Sequence, residues 1–352
     1  MQLPAQTDTS ASASHGKFAG FKLIDGELDR VRKLIDRQLT ASAPAMPQLG
    51  LPSNIHRPED ISQLLEYVSV RSGKMIRPAM VLLCGTCCGK ITDEHIKVAA
   101  IIEMIHNATL LHDDVIDEGR KRRGQPTVNS LCGNEAAVLL GDYLLSHVFK
   151  MCAELESKVA GVIATAAVRL CEGELRQVTQ RHNWQLSESE YIDVITEKSA
   201  VLFSSACFLG GSLAQADDDQ TRSLAEFGLN AGIAFQITDD LLDIVGDEKK
   251  TGKTLGTDVE KHKLTLAVIH LLKAANQNEK TKIIDSYLER KDAECDKKAL
   301  VKMLDRYGSL EYARSRAKEY VDAAIRALAT LKSGDAKEAL AETAKFVAGR
   351  VI

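Results

Sequence analysis

The sequence predicts an all-α protein, and three features of its composition support this prediction. All seven prolines lie at or before Pro126, and proline is poorly tolerated inside helices. Aromatic residues make up only 5% of the chain, whereas strands favour aromatic and β-branched residues. Ala, Leu, Glu and Lys, which form helices readily, are abundant.

The first part of the chain is predicted to contain a tail, one amphipathic helix and a long connection. Residues 1–18 are rich in Ser, Ala and Thr and are expected to be disordered, with a single domain over residues 19–352. Between Phe21 and Leu39, apolar residues recur at the spacing of one helix face. Four prolines between Pro44 and Pro58 then mark a connection before the main body.

Helices are predicted over most of the remaining chain, with one long interruption. The apolar stretches 99–111 and 227–237 indicate helix interiors. Ser187 and Glu190 form a capping-box pattern, so a helix is expected to begin there. Residues 246–263 contain three glycines and five lysines and are expected to form a loop.

Charge and cysteine content narrow the class of protein. The net charge of −4 gives no bulk attraction to nucleic acid, and no apolar run reaches the roughly 20 residues of a membrane-spanning helix. The eight cysteines lie mostly in apolar patterns and are expected to be buried, free thiols. Cys84, Cys87 and Cys88 resemble half of a zinc site, but no second cluster completes it. Without a secretory signal, a reducing cytoplasmic location is expected.

Two copies of an acidic pattern carry most of the functional information. Each copy has aspartates at positions i, i+1 and i+4, and each closes an apolar stretch: Asp113, Asp114 and Asp117; Asp239, Asp240 and Asp243. Residues four apart share a helix face, so the carboxylates crowd together and need cations to neutralise them. One such pattern is more typical of a solvated helix face, whereas two indicate divalent metal ions with an anion between them.

Basic residues accompany both acidic motifs. A run of four cations, Arg120 to Arg123, begins three residues after the first motif, and arginine binds phosphate oxygens through its planar fork. Five lysines follow the second motif: Lys249, Lys250, Lys253, Lys261 and Lys263. Further upstream lie Lys74, Arg77 and His106. Taken singly, these residues are typical of a solvated loop, a localisation signal or a core histidine.

Taken together, the motifs resemble those of the trans-type isoprenyl diphosphate synthases, from about residue 60 to the C-terminus. The similar segments are GKMIRP (73–78), EMIHNATLLHDDVIDEGRKRRGQPT (103–127), GD (141–142), CEGELRQ (171–177), EKSA (197–200) and FQITDDLLDIVGD (235–247). One departure concerns the segment 262–267, where the family often has Gly-Lys before Thr-Leu-Pro and this chain has His262-Lys263 before Leu264-Thr265-Leu266-Ala267.

The resemblance implies an antiparallel helix bundle with a central cavity and a set of site residues. The six aspartates would hold about three Mg²⁺ ions on an allylic diphosphate. The expected catalytic residues are Asp113, Asp114, Asp117, Lys198, Asp239, Asp240 and Lys253. The cations expected on the allylic diphosphate are Arg122, Lys198, Lys253 and Lys263, with Ser199 and Gln236 as secondary polar contacts. Those expected on isopentenyl diphosphate are Lys74, Arg77, His106 and Arg123.

The resemblance also implies a way to set product length. In this family, bulky aromatics four or five residues before the first motif accompany short products, whereas this chain has Ala108 and Thr109 there. The chain most resembles octaprenyl and solanesyl synthases, so a long all-trans chain for a quinone is expected, one that would partition into a membrane. Deeper candidates for the floor of the tunnel are Ile105, Ile101 and Phe149.

Several alternatives stay open from the sequence. A short-chain farnesyl or geranylgeranyl diphosphate synthase has the same motifs, and a prenyl cyclase or a metal-dependent phosphohydrolase using His112 are weaker options. A regulatory subunit would be expected to lack some metal-binding acids, and all six are present. The resemblance favours a homodimer, with a hetero-oligomer as the alternative.

Overall fold

The computed structural model describes residues 19–40, 65, 73–246, 258, 261–285 and 297–349. These residues are mostly helical, as predicted. A 3₁₀ turn, Ala19–Ile24, precedes the first helix. The α-helices are α1 Asp25–Thr40, α2 Ile76–Cys88, α3 Asp93–Ile116, α4 Val128–Cys132, α5 Asn134–Cys152, α6 Ser157–Thr179, α7 Glu188–Ile195, α8 Val201–Leu213, α9 Asp218–Val245, α10 Leu266–Ala274, α11 Gln277–Ile283, α12 Lys297–Arg306, α13 Ser309–Ala327 and α14 Asp335–Ala348.

The helices form a bundle around α9, the longest of them. Helix α9 packs against α8 and α13, α3 packs against α2 and α5, and α2 also packs against α8. Two clusters of buried apolar side chains make the core, and α9 contributes to both through Phe227 on one side and Ile237 on the other. The second half of α9 is therefore held firmly in the interior of the bundle.

Two predicted helix starts can be compared with the structure. The Ser187 hydroxyl accepts a hydrogen bond from the Glu190 amide at 3.3 Å, and the Glu190 carboxylate accepts one from the Ser187 amide at 2.8 Å. This capping box begins α7, so the prediction is confirmed. The stripe of apolar residues from Phe21 to Leu39 also forms a helix, which begins at Asp25 after the 3₁₀ turn.

A short antiparallel hairpin is an addition to the all-α prediction. Its strands are β1 Lys121–Arg122 and β2 Gln125–Pro126, and Arg122 pairs with Gln125. Arg123 and Gly124 form the turn, both with positive φ values, 54° and 77°. The hairpin reverses the chain directly after the first acidic motif.

The cysteine prediction is confirmed only in part. The seven cysteines within the described ranges are free thiols, and Cys84 and Cys207 are buried. However, Cys171 on α6 is exposed. Cys295, the predicted tail and the proline-rich connection lie outside the described residues. None of the described helices combines the length and apolar character needed to cross a membrane.

Candidate active site

One cavity of about 2490 Å³ brings the two acidic motifs together. It is lined by all six aspartates and by most of the predicted basic residues, namely Lys74, Arg77, His106, Arg122, Arg123, Lys198 and Lys263. Ser199 and Gln236 also line it. Residues that are far apart in the sequence therefore meet at one site, although Lys253 lies outside the described residues.

Both acidic motifs lie at the C-terminal ends of helices. Helix α3 ends at Ile116, with Asp117 as its C-terminal cap, and α9 ends at Val245, two residues after Asp243. The C-terminal end of a helix carries a partial negative charge, which disfavours carboxylates there. Helix position therefore adds to the mutual repulsion of the acids, and the site has a strong demand for cations.

Arg122 supplies one of these cations to the first motif. Its Nε donates to both oxygens of Asp114, at 2.9 and 3.1 Å, and its Nη2 donates to Oδ1 at 2.7 Å. Asn129 and Thr127 hold the hairpin in place by donating to the carbonyl oxygens of Asp114 and Gly119. Burial raises the pKa of Asp114, and Arg122 opposes this effect.

Asp117 is paired with cations from two other segments. Lys263 Nζ donates to its two carboxylate oxygens at 2.7 and 2.8 Å. Arg181, which follows α6, places Nη2 at 3.7 Å from the same carboxylate. Arg181 was not predicted from the sequence, because nothing in its local pattern distinguishes it from a surface cation.

Lys198 lies in a π-helical turn, Thr196–Ala200, between α7 and α8. Its Nζ lies 2.5 Å from a carboxylate oxygen of Glu174 and donates to Gln177 at 2.8 Å. Burial acts to lower the pKa of Lys198, but the carboxylates of Asp113 and Glu174 outweigh it, and the pKa is raised overall. Lys198 therefore stays charged between α6 and the first acidic motif.

The matched segment CEGELRQ contains two site residues that were not predicted, Glu174 and Gln177. Both line the cavity beside Lys198. Gly173 allows the π turn to approach α6 closely, since a Cβ there would lie 2.4 Å from the backbone nitrogen of Lys198. The segment was noted in the sequence, but its contact with Lys198 could not be predicted, because Lys198 lies 21 residues after Gln177.

Hydrogen bonds occupy both carboxylate oxygens of Asp240. Tyr191 donates to Oδ2 at 2.6 Å, and Gln236 Nε2 donates to Oδ1 at 2.7 Å. Burial raises the pKa of Asp240 to about 7, and Asp258 adds to this effect. Asp240 was predicted among the metal-site acids in a supporting position, and this geometry favours that position.

A second group of cations lies at the start of α2, on α3 and on the hairpin. The Arg77 guanidinium is buried over the Phe203 ring, 4.2 Å from its centroid. Burial lowers the pKa of Arg77 to about 10, and Glu103 opposes this effect. Burial, with Arg77 and Arg123, also lowers the pKa of His106 well below its ordinary value. His106 is therefore a neutral hydrogen-bonding group in a positively charged pocket.

The two ends of this pocket are also defined. Lys74 Nζ lies 4.8 Å from the centroid of the Phe346 ring of α14. A Cβ at Gly73 would lie 2.3 Å from Arg123 Nη2, so the guanidinium packs directly against the glycine. The pocket therefore gathers cations from three separate segments.

The carboxylates suit metal ions that are shared with a bound anion. Among the described residues, no three His, Cys, Asp or Glu side chains lie close enough to hold an ion by themselves. Mg²⁺ is commonly held by one or two carboxylates together with substrate phosphates. The Nε2 of His112 lies 3.2 Å from the Val138 carbonyl oxygen and 3.4 Å from Asp142 Oδ1, both on α5.

This arrangement agrees with comparisons to known proteins. The profile of the polyprenyl synthetase family matches residues 58–304. The chain belongs to the polyprenyl synthetase family. It is a prenyltransferase of isoprenoid biosynthesis, and it shares its all-α fold with other synthetases of this kind.

Relatives of this polyprenyl synthetase make both long and short products. It is 37% identical over 281 residues to octaprenyl diphosphate synthase of Escherichia coli (strain K12), covering 80% of this chain and 87% of the relative. It is 36% identical over 294 residues to geranylgeranyl diphosphate synthase of Saccharolobus solfataricus, covering 81% and 88%. The crystal structure of a polyprenyl synthase from Caulobacter crescentus CB15 complexed with calcium and isoprenyl diphosphate has a TM-score of 0.84 at 30% identity, covering 95% of this chain and 97% of that chain.

The synthetase has a histidine where its family often has glycine, and the backbone shows the consequence. His262 has a φ of 55°, a left-handed value that favours glycine. Its ring packs on His182 at 4.1 Å between centroids, with Trp184 in an edge-on contact to both. These ring contacts offset the strain and fix the segment that carries Lys263.

The predicted length-determining residues of the synthetase divide into two groups. Ile105, Thr109 and Phe149 line the cavity. Ala108 and Ile101 do not; their side chains are fully buried in the helix packing. Both Ala108 and Thr109 were predicted at the tunnel wall; the structure favours Thr109, and the role of Ala108 stays a prediction.

Proposed function

We propose that this chain catalyses the Mg²⁺-dependent head-to-tail (1′-4) condensation of isopentenyl diphosphate with an allylic prenyl diphosphate. The observation that carries the proposal is a single cavity with two groups of cations. One group surrounds the acidic motifs, and the other surrounds Arg77. Two diphosphates can thus bind side by side, which a condensation requires and a hydrolysis does not.

The first group of cations suits the allylic diphosphate, which leaves during the reaction. Lys198, Arg122 and Lys263 neutralise its charge as the C–O bond breaks, which is electrostatic stabilisation by groups already in place. Mg²⁺, about three ions in this family, would add positive charge between the carboxylates and the diphosphate oxygens. Lys253 belongs to this part of the proposal, although it lies outside the described residues.

The second group suits isopentenyl diphosphate, which keeps its diphosphate. Arg77, Lys74 and Arg123 provide the charge, and the neutral His106 provides a hydrogen bond. The alkene of the bound isopentenyl group attacks the allylic carbocation, forming the new C–C bond. The released diphosphate then accepts the proton that is lost.

A long, all-trans product is proposed from the walls of the cavity. Its sides along α5 and α6 are apolar and include several small residues, among them Ala153, Ala160, Ala164 and Ala167. On the α3 side, Thr109 also lines the cavity and is small enough to leave space for a growing chain. A quinone side chain is the proposed use of such a product, and a geranylgeranyl-length product is the alternative.

A homodimer is proposed from exposed apolar side chains of α5 and α6. Leu139 (68% exposed) and Val178 (36%) do not line the cavity, whereas Phe149 (72%), Val168 (58%) and Leu175 (65%) are exposed where they line it. An exposed apolar patch of this kind is typical of a protein interface. A related but different subunit is the alternative partner. The free thiols support a reducing, cytoplasmic location.

The proposal is tested by incubating the purified chain with labelled isopentenyl diphosphate, Mg²⁺ and allylic primers of different lengths. The expected result is a ladder of polyprenyl diphosphates that disappears when EDTA removes the metal. A release of free prenyl alcohol and diphosphate without chain extension would favour hydrolysis and contradict the proposal. Extension that stops after one or two additions would select the short-chain alternative.

A further inference from the structure

Tyr191 contacts the second acidic motif from outside the cavity. Its side chain is buried, with 2% exposed, and it does not line the cavity. Its hydroxyl nevertheless donates to Asp240 Oδ2 at 2.6 Å, across 49 residues of sequence. Burial raises the pKa of Tyr191 well above its ordinary value, so the hydroxyl stays protonated and acts as the donor.

The hydrogen bond from Tyr191 is the first of three that join α7, α9 and the π turn that follows α7. Gln236 donates to the second oxygen of Asp240 at 2.7 Å, and the Gln236 carbonyl oxygen accepts from the Ser199 hydroxyl at 2.6 Å. The network therefore runs from α7 through α9 to the π turn. Each donor and acceptor in the path has a partner, and such networks hold their members more firmly than isolated bonds.

The far end of this network adjoins the first acidic motif. Ser199 is next to Lys198, which pairs with Glu174 and whose charge is stabilised by Asp113. Asp240 lies between Asp239 and Asp243 on the final turns of α9. The network thus links Asp240 of the second motif to the π turn that carries Lys198.

We propose that Tyr191 is a positioning residue that fixes Asp240 and, through it, the spacing of the two acidic motifs around a metal-bound diphosphate. In this arrangement Asp240, which also lines the cavity, is held through both of its carboxylate oxygens. The inference rests on the proposed diphosphate site. A purely structural role for Tyr191 would affect the stability of the fold without affecting the binding of diphosphate.

The test compares two tyrosines that make the same kind of bond. Tyr191→Phe removes the hydroxyl and keeps the ring. Tyr312→Phe is the matched control, since the Tyr312 hydroxyl also donates to a carboxylate, Glu188 on α7, which does not line the cavity. Binding of inorganic pyrophosphate in the presence of Mg²⁺ is measured by calorimetry, and the melting temperature is measured for each variant.

Tyr191→Phe is expected to weaken pyrophosphate binding by about 10- to 100-fold, the range found when a residue supporting a metal site is lost. Tyr312→Phe should bind within about twofold of the wild type, because typical effects on a distant site are small. Asp240→Asn is then combined with Tyr191→Phe. Since Tyr191 acts through Asp240, the double variant should bind no more weakly than Asp240→Asn alone.

The inference would be overturned if Tyr191→Phe bound pyrophosphate as well as the wild type. It would also be overturned if the losses of affinity caused by Tyr191→Phe and Asp240→Asn added in the double variant. Ser199→Ala tests the other end of the network should Tyr191→Phe fail to fold, and it should also weaken binding. Unchanged binding in Ser199→Ala would then overturn the inference. If the wild type itself does not bind pyrophosphate with Mg²⁺, the proposed function fails first, which distinguishes the two failures.

Discussion

Lys263 donates to both carboxylate oxygens of Asp117, at 2.7 and 2.8 Å, although 146 residues separate them in the sequence. Lys263 follows the second acidic motif, whereas Asp117 closes the first. The pair therefore joins the two motifs across the mouth of the cavity. It also shows that the first acidic motif is neutralised in part by a cation from outside its own segment.

Lys263→Met is expected to weaken binding of the allylic diphosphate by about 10- to 100-fold, the value of a charge-assisted hydrogen bond of about 1.5–3 kcal/mol. The KM for the allylic substrate is the measurement. Lys261→Met is the control, because Lys261 pairs with the exposed Glu118, and exposed pairs contribute about 0–1 kcal/mol. Equal effects of the two substitutions would contradict the role of Lys263.

His106 is expected to bind isopentenyl diphosphate as a neutral imidazole. Its pKa lies well below the ordinary value because of burial and the nearby Arg77. The imidazole therefore gains its proton only at acid pH and does not titrate between about pH 6 and 8. The KM for isopentenyl diphosphate is measured over this range for the wild type and His106→Gln.

The ratio of these two KM values is expected to stay constant with pH. A histidine with an ordinary pKa would lose its charge as the pH rises through about 6.5. The wild-type KM would then rise relative to that of His106→Gln, and such a rise would contradict the neutral assignment.

Thr109→Phe is expected to shorten the product, because Thr109 lines the cavity and an aromatic ring there would block the growing chain. Ala108→Phe is the comparison. Ala108 is fully enclosed, so a larger side chain would overpack the helices at a cost of about 1–3 kcal/mol. Chain lengths are read by chromatography, and melting temperatures report the overpacking.

Products of wild-type length from Thr109→Phe, together with shortened products from a stable Ala108→Phe, would show that Ala108 and not Thr109 limits the length of the product. Shortened products from Thr109→Phe, with a lowered melting temperature in Ala108→Phe, would support it.

Replacing Leu139 and Val178 by Asp is expected to convert a dimer into monomers. These side chains are 68% and 36% exposed and do not line the cavity, and a charge on an apolar interface is costly to bury. Thr330→Asp, an exposed position outside α5 and α6, is the control for added charge. Sedimentation equilibrium gives the mass, and a double variant that stays dimeric would contradict this interface.

The sequence was sufficient to predict the helical fold and most of the site, because the acidic motifs and their cations are local patterns. It did not predict the residues that act at a distance. Tyr191 and Arg181 have no local signal, and only the packing of the helices brings them to the acids.

The difference between Ala108 and Thr109 could not be predicted for a similar reason. Adjacent helix residues differ by about 100° in direction, and a sequence pattern does not fix which of two neighbours faces a cavity. The hairpin that turns Arg122 onto Asp114 is also too short to produce a strand pattern.

The central claim is that the two acidic motifs form one site for a metal-bound diphosphate. It is tested most directly by measuring the binding of Mg²⁺ and inorganic pyrophosphate to Asp113→Asn, Asp239→Asn and the double variant. Either single substitution is expected to weaken binding strongly. The double variant should bind little more weakly than the single variant with the lower affinity, since both motifs act on one site. Effects that simply add, or a motif whose loss leaves binding unchanged, would contradict the claim.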